Sequence, residues 1–238
     1  MKASVFVFNE FLWKIERVMK MLIVSFLVFS CSNESGINQI EKKFLAEGLV
    51  DLQKYDDNIK IDLVNSDSNK NFFGKDFYDG LKRCYVREEL AVKLSRASKI
   101  LKDLKSSYSL MVYDGARPRS VSQQMYDQLK NTPLKKYVAD PKFGSMHNYA
   151  AAVDVVIVDE NDDEIDMGLN PFRKNKLQLA KMLYDMKKSK RLTIQQKNNR
   201  MLLKSVMTKA GFYPIEIEWW HFEVDRKEII RKKYRIIE

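Results

Sequence analysis

Only two histidines occur in the chain, and each sits against a segment that reads as a buried strand. The first lies in Ser145-Met146-His147-Asn148-Tyr149-Ala150-Ala151-Ala152-Val153-Asp154, which passes into the continuous apolar run Val-Asp-Val-Val-Ile-Val. The second closes Glu218-Trp219-Trp220-His221 and opens Phe222-Glu223-Val224. His147 on the approach and Asp154, seven residues later at the strand entrance, can turn toward one point, where His221 supplies a third group. Two imidazoles and a carboxylate, with water in the fourth position, make an open metal site of the catalytic kind. Zinc suits that donor set and needs no redox partner. Glu218, three residues before His221, is then placed as a general base beside the ion. Trp219 and Trp220 read as core or pocket wall, stiffening the strand that carries His221.

A chain of 238 residues, 45% hydrophobic and 11% aromatic, suits one domain with a sizeable core plus a short processed or tethering segment. The formal charge of +10 is spread over Lys and Arg with no nucleic-acid motif beside them, so it reads as a solvated basic surface and nucleic acid is not an expected partner. The two cysteines differ in context. Cys31 ends the apolar run Met21 to Ser30, which follows basic Lys20 and precedes polar Ser-Asn-Glu-Ser-Gly. That is the layout of a lipoprotein signal, with Met19 or Met21 as alternative starts. A run this short falls below the ~20 apolar residues of a membrane span. The expectation is an exported lipoprotein, lipid-anchored at Cys31 in the periplasm or cell envelope, or a cytoplasmic protein if the segment is not a functional signal. Cys84 is then left without a disulfide partner.

The segments fall into a 1–31 signal-type stretch, a flexible tether at 32–44 and a folded domain at 45–238. Within the domain, Leu49–Leu52 and Ile59–Val64 read as short strands, and residues 86–105 as a helix with Leu90, Leu94, Ala97, Leu101 and Leu104 on one face. Leu110–Tyr113 reads as a strand closed by the turn Asp114-Gly115, followed by a helix over 121–129 with Ser120 as its N-cap. The acidic run Glu160–Glu164 lacks the glycine and distal glutamate of a calcium loop and reads as a hairpin turn. Helices are predicted near 175–189 and 193–210, the second ending at Gly211, and a closing helix in the basic tail from Arg226. The class is α+β: one domain whose antiparallel-rich central sheet carries the zinc site, with helices packed around it.

Arg117 lies between strand and helix, flanked by Gly115 and Pro118, well placed to meet an oxyanion or carboxylate. An ordinary surface arginine stays open as the other reading. Ser145 either donates a hydrogen bond to substrate or caps its turn.

Ser145-x-His147-x-x-Ala150-x-Ala152-x-Asp154 together with Glu218-Trp219-Trp220-His221 resembles the zinc D-alanyl-D-alanine dipeptidases of vancomycin resistance, within the wider zinc D-Ala-D-Ala peptidases. The likeness extends to Asp114-Gly115-Ala116-Arg117-Pro118, Arg83–Glu89 and Asn71-Phe72-Phe73-Gly74-Lys75, so it spans about residues 45–225. The resemblance implies one zinc held by His147, Asp154 and His221, Glu218 as general base, Arg117 as oxyanion stabiliser and Ser145 as a substrate contact. It implies hydrolysis of the D-Ala-D-Ala bond in peptidoglycan metabolism, with a small peptide as partner.

Two positions depart from the family pattern. Ala150 stands where the family usually has glycine. The family's Met-Gly-x-x-Phe-Asp segment, whose aspartate receives the dipeptide amine, is here Asp166-Met167-Gly168-Leu169-Asn170-Pro171-Phe172-Arg173, one residue longer and with arginine in the acid's place; either Asp166 substitutes or the amine pocket is gone. The alternatives this leaves open are a D,D-carboxypeptidase acting on longer stem peptides and a non-catalytic, zinc-containing, cell-wall-binding lipoprotein.

Overall fold

The computed structural model describes residues 38–132, 135, 139–168, 192–216 and 218–238. The predicted Cys31 segment, the predicted helix at 175–189 and Arg173 lie outside the described residues. Within the compact unit Ile40–Glu238 the chain forms α1 (Gln39–Ala46), β1 (Val50–Asp51), β2 (Lys60–Ile61), β3 (Tyr85–Val86), α2 (Glu88–Leu104), β4 (Ser109–Asp114) and α3 (Arg119–Leu129). There follow β5 (Ala152–Val158), α4 (Ile194–Lys209), β6 (Tyr213–Ile215), β7 (Glu218–Glu223) and α5 (Lys227–Lys233). α1 takes in residues that the sequence assigned to the tether: Phe44 is buried, and buried Glu41 accepts a hydrogen bond from the Tyr85 hydroxyl.

The central sheet has the order β2-β4-β5-β7-β6, with β2 parallel to β4 and every other pair antiparallel. The α+β class therefore holds. β5 is buried along its whole length, which explains its unbroken apolar run. Val153, Val155 and Ile157 join the main core, and Val156 and Val158 pack on the opposite face with Val64, Tyr113 and Trp219. Successive strand side chains alternate between faces, so Asp154 shares the face of Val156 rather than that of Val155.

Register then assembles the site. Asp154 pairs with His221 on β7, and across β4 it pairs with Asp114 just after an irregularity between Val112 and Asp114. Three polar side chains thus form one row across three strands that are distant in sequence. A slip of one residue would turn Asp154 into the apolar layer, so burial of the alternate valines enforces the register.

The periodicity of α2 is realised at Leu90, Leu94, Ala97 and Leu101, each buried, whereas Leu104 is 51% exposed at the frayed end. α2 begins at Glu88, later than its predicted start at 86, because Tyr85 and Val86 pair with Asp51 and Val50 in a separate two-stranded ribbon. α3 begins at Arg119, with Pro118 rather than Ser120 at the N-cap and no capping side chain. Pro118 holds φ at −57°, ready to enter a helix, and that places Ser120 inside the first turn. α4 opens with a Thr193–Gln196 capping box and ends before Gly211 at φ +98°. The acidic run is a hairpin turn: Asp159 accepts hydrogen bonds from the amides of Asn161 and Asp163, and Val158 bridges Glu164. No helix among the described residues is long and apolar enough to cross a membrane.

Candidate active site

His147 rides on a single 3-10 turn, Met146–Tyr149, immediately before β5. Ser145 caps that turn by accepting from the His147 amide at 3.4 Å, and Asn148 closes the capping box by accepting from the Ser145 amide at 2.7 Å. Asn148 also donates to the Arg117 carbonyl at 2.8 Å, while the Arg117 amide donates to the His147 carbonyl at 3.0 Å. The histidine turn and the arginine turn are therefore laced together by one backbone and one side-chain hydrogen bond. The turn ends on Ala150 at φ 54° and ψ 29°, in the left-handed region. That conformation explains why glycine suits this position, and it places a strain of roughly 1–2 kcal/mol on alanine.

His147 Nδ1 donates to the Gly115 carbonyl at 2.8 Å, which turns Nε2 inward. Nε2 lies 3.1 Å from His221 Nδ1 and 3.3 Å from Asp154 Oδ1, and His221 Nδ1 lies 3.0 Å from the same oxygen. All three residues are buried, and they form the one cluster among the described residues that could hold a metal ion. Two imidazole nitrogens and a carboxylate oxygen at these distances repel one another unless a cation lies among them. Without a metal a proton takes that role: burial opposes a charged His221, but hydrogen bonds to Asp154 and Glu223 outweigh it and raise its pKa to about 10. Burial likewise opposes the Asp154 charge, and His147 and His221 overcome it, holding the carboxyl well below its usual range. A tetrahedral ion with bonds of about 2.0–2.1 Å sets its ligand atoms about 3.3–3.4 Å apart, close to the observed triangle. The residues fit a divalent nitrogen- and oxygen-liganded ion.

Glu218 reaches to 3.9 Å from His221 Nδ1 while keeping 31% of its side chain exposed. Burial, with the nearby charge of Asp154, raises its pKa against the opposing pull of His221, His147 and Arg117. It thus borders the trio without joining it. Arg117 also borders the trio, its guanidinium 3.9 Å from Asp154 Oδ2. Burial works against its charge, yet Asp114, Tyr78 and Asp154 outweigh that and keep it protonated beyond the ordinary range. It is not a loose surface arginine.

The sequence did not mark what holds Arg117. Asp114 is fully buried and accepts from Arg117 Nε at 2.9 Å and from Arg117 Nη2, from Asn65 at 3.0 Å, from the Tyr78 hydroxyl at 2.8 Å and from the Gly115 amide at 3.1 Å. In the sequence it stood within the family-like segment three residues before Arg117 and read there as half of a turn. Gly115 is needed for close approach: a methyl group there would meet Cys84 Sγ at 2.6 Å and the Tyr85 carbonyl at 3.0 Å. Trp220 is buried, and Trp219 is partly buried under the Arg200 guanidinium, 5.0 Å from its ring. Asp166 is taken up elsewhere: its carboxylate accepts from the Gly168 amide at 2.9 Å and from Gln196 at 3.0 Å.

Residues 45–236 match the D-ala-D-ala dipeptidase family. Over 176 residues the chain is 29% identical to a D-alanyl-D-alanine dipeptidase of Escherichia coli, covering 74% of this chain and 84% of that relative. A D-alanyl-D-alanine dipeptidase of Synechocystis is 24% identical over 175 residues, covering 61% of this chain and 71% of the relative.

Proposed function

We infer that this metallopeptidase, which belongs to the D-ala-D-ala dipeptidase family, is a zinc enzyme that hydrolyses the D-Ala-D-Ala dipeptide in peptidoglycan metabolism. The observation that carries this reading is the buried triangle of His147 Nε2, His221 Nδ1 and Asp154 Oδ1, three facing acceptors that call for a cation. Zinc bound there supplies a Lewis acid that polarises the scissile carbonyl and makes water nucleophilic near neutral pH.

The chain's own side chains supply the rest. Glu218, partly exposed and with its pKa raised, takes the proton from the attacking water and returns it to the leaving amine. Arg117, fixed by Asp114, presents its guanidinium to the oxygen on which negative charge develops. It needs little reorientation, because Asp114 holds it in place before substrate arrives. Ser145 orders the His147 turn and offers a hydroxyl to the substrate. In the cell we place the protein in the envelope, tethered through Cys31, on the strength of the lipoprotein-type sequence before it.

One observation favours a second reading. The Asp166 carboxylate already accepts from Gln196 and Gly168, and a longer stem peptide ending in D-Ala-D-Ala needs no amine-binding acid. Chelation followed by zinc titration tests the main reading. Activity on the free dipeptide should vanish with the metal and return at one equivalent of zinc per chain; activity that survives chelation contradicts it.

A further inference from the structure

The zinc reading leaves the buried carboxylate beside His221 without a use. Glu223 is 4% exposed, on the same strand and the same face as His221 two residues before it. Its Oε1 lies 3.5 Å from His221 Nε2, the ring nitrogen turned away from the triangle, and 3.5 Å from Lys227 Nζ. A charged carboxylate at this depth must be paired, so its partners decide its purpose.

We propose that Glu223 is the positioning residue of His221, accepting the Nε2–H so that Nδ1 presents its lone pair to the metal cluster. The proposal rests on the metal-centre reading above. Neutral imidazole carries one proton, and two oxygens compete for it. Asp154 Oδ1, 3.0 Å from Nδ1, would draw the proton onto the nitrogen that must face the metal. Glu223, on the far side of the ring, draws it onto Nε2. His147 is fixed in the matching sense by the Gly115 carbonyl, 2.8 Å from its Nδ1. Each imidazole thus has an acceptor behind it, one a backbone oxygen and one a carboxylate, the arrangement that orients histidine ligands. Lys227, half exposed at its side chain, balances the charge of Glu223 but touches neither ring.

The test measures the zinc Kd of the full chain by competition with a chelating dye, with the melting temperature of the apo protein as a control on folding. Glu223→Val should weaken zinc binding about 10–100-fold, the usual consequence of losing such a partner. Glu223→Gln, whose amide oxygen still accepts, should stay well within about tenfold of wild type. Lys227→Met should leave the Kd unchanged. In the zinc-loaded wild type, nitrogen NMR of the two imidazoles should show a proton on Nε2 of His221 and none on Nδ1, a readout that needs no variant to fold. An unchanged Kd in Glu223→Val, a loss reproduced by Lys227→Met, or a metal-bound Nε2 would each overturn the proposal. A wild-type chain with no zinc affinity would overturn the metal centre itself, and this inference with it.

Discussion

His147 Nε2 and His221 Nδ1 approach to 3.1 Å, with an oxygen behind the far nitrogen of each ring. The two rings meet edge to face at a centroid separation of 4.9 Å, an arrangement aromatic pairs favour, and it leaves one nitrogen of each ring turned toward the other. Their geometry makes sense as two ligands converging, and the consequences can be measured.

Arg117→Lys keeps a cation near Asp114 but loses the forked donor. It should lower kcat by about 10²–10³-fold, as removal of one oxyanion donor does, with KM and zinc content far less affected. Arg117→Ala should in addition lower Tm, because the fully buried Asp114 carboxylate would lose its forked guanidinium partner. Steady-state kinetics beside a thermal melt separate the two effects, and an unchanged kcat in Arg117→Lys rules out the oxyanion role.

Gly115→Ala should damage the metal centre without touching a ligand. The new methyl group would press on Cys84 Sγ and the Tyr85 carbonyl, and relief requires moving the Gly115 carbonyl that holds His147. Overpacking of this kind costs about 1–3 kcal/mol. The expected outcome is a lower Tm together with a weaker zinc Kd; Gly115→Ala/Cys84→Ala, which opens the space, should recover part of both.

These two expectations show what the sequence could and could not convey. His147, Asp154, His221 and Glu218 stood out because histidine is rare here and a continuous apolar run marks a buried strand. The residues that hold them in place did not. Asp114 looked like half of a turn, since nothing local shows that β4 will set it beside Asp154. Asn65 and Tyr78 lie 49 and 36 residues from the carboxylate they satisfy. Glu223 stood in a predicted strand with nothing local to single it out. Val86 of β3 was taken into the predicted helix because Tyr85-Val86 is too short to show a period, and only pairing with β1 makes it extended. Local pattern reveals ligands and core stripes, whereas contacts made through register stay hidden until strands pair.

Ala150 supplies a backbone test. Ala150→Gly relieves roughly 1–2 kcal/mol of left-handed strain while adding about 0.4–1 kcal/mol of unfolded-state freedom and removing a buried methyl group, so stability should stay within about 1 kcal/mol of wild type. Ala150→Val, β-branched and fully buried at φ 54°, should unfold the His147 turn and abolish high-affinity zinc binding. Chemical denaturation of both variants with zinc titration decides this; normal zinc binding by the Ala150→Val variant would refute the strained-turn account.

The central claim is that Glu218 moves protons beside a metal that His147, Asp154 and His221 hold. The most direct measurement is alanine release from free D-Ala-D-Ala, and separately from a stem pentapeptide ending in D-Ala-D-Ala, by zinc-loaded wild type and Glu218→Gln at equal measured zinc content. The expected result is dipeptide hydrolysis by the wild type and a fall of at least about 10²-fold in the variant, the scale of a lost general base, with the metal still bound. Cleavage of the pentapeptide alone would assign the second reading. Full turnover by Glu218→Gln would contradict the account.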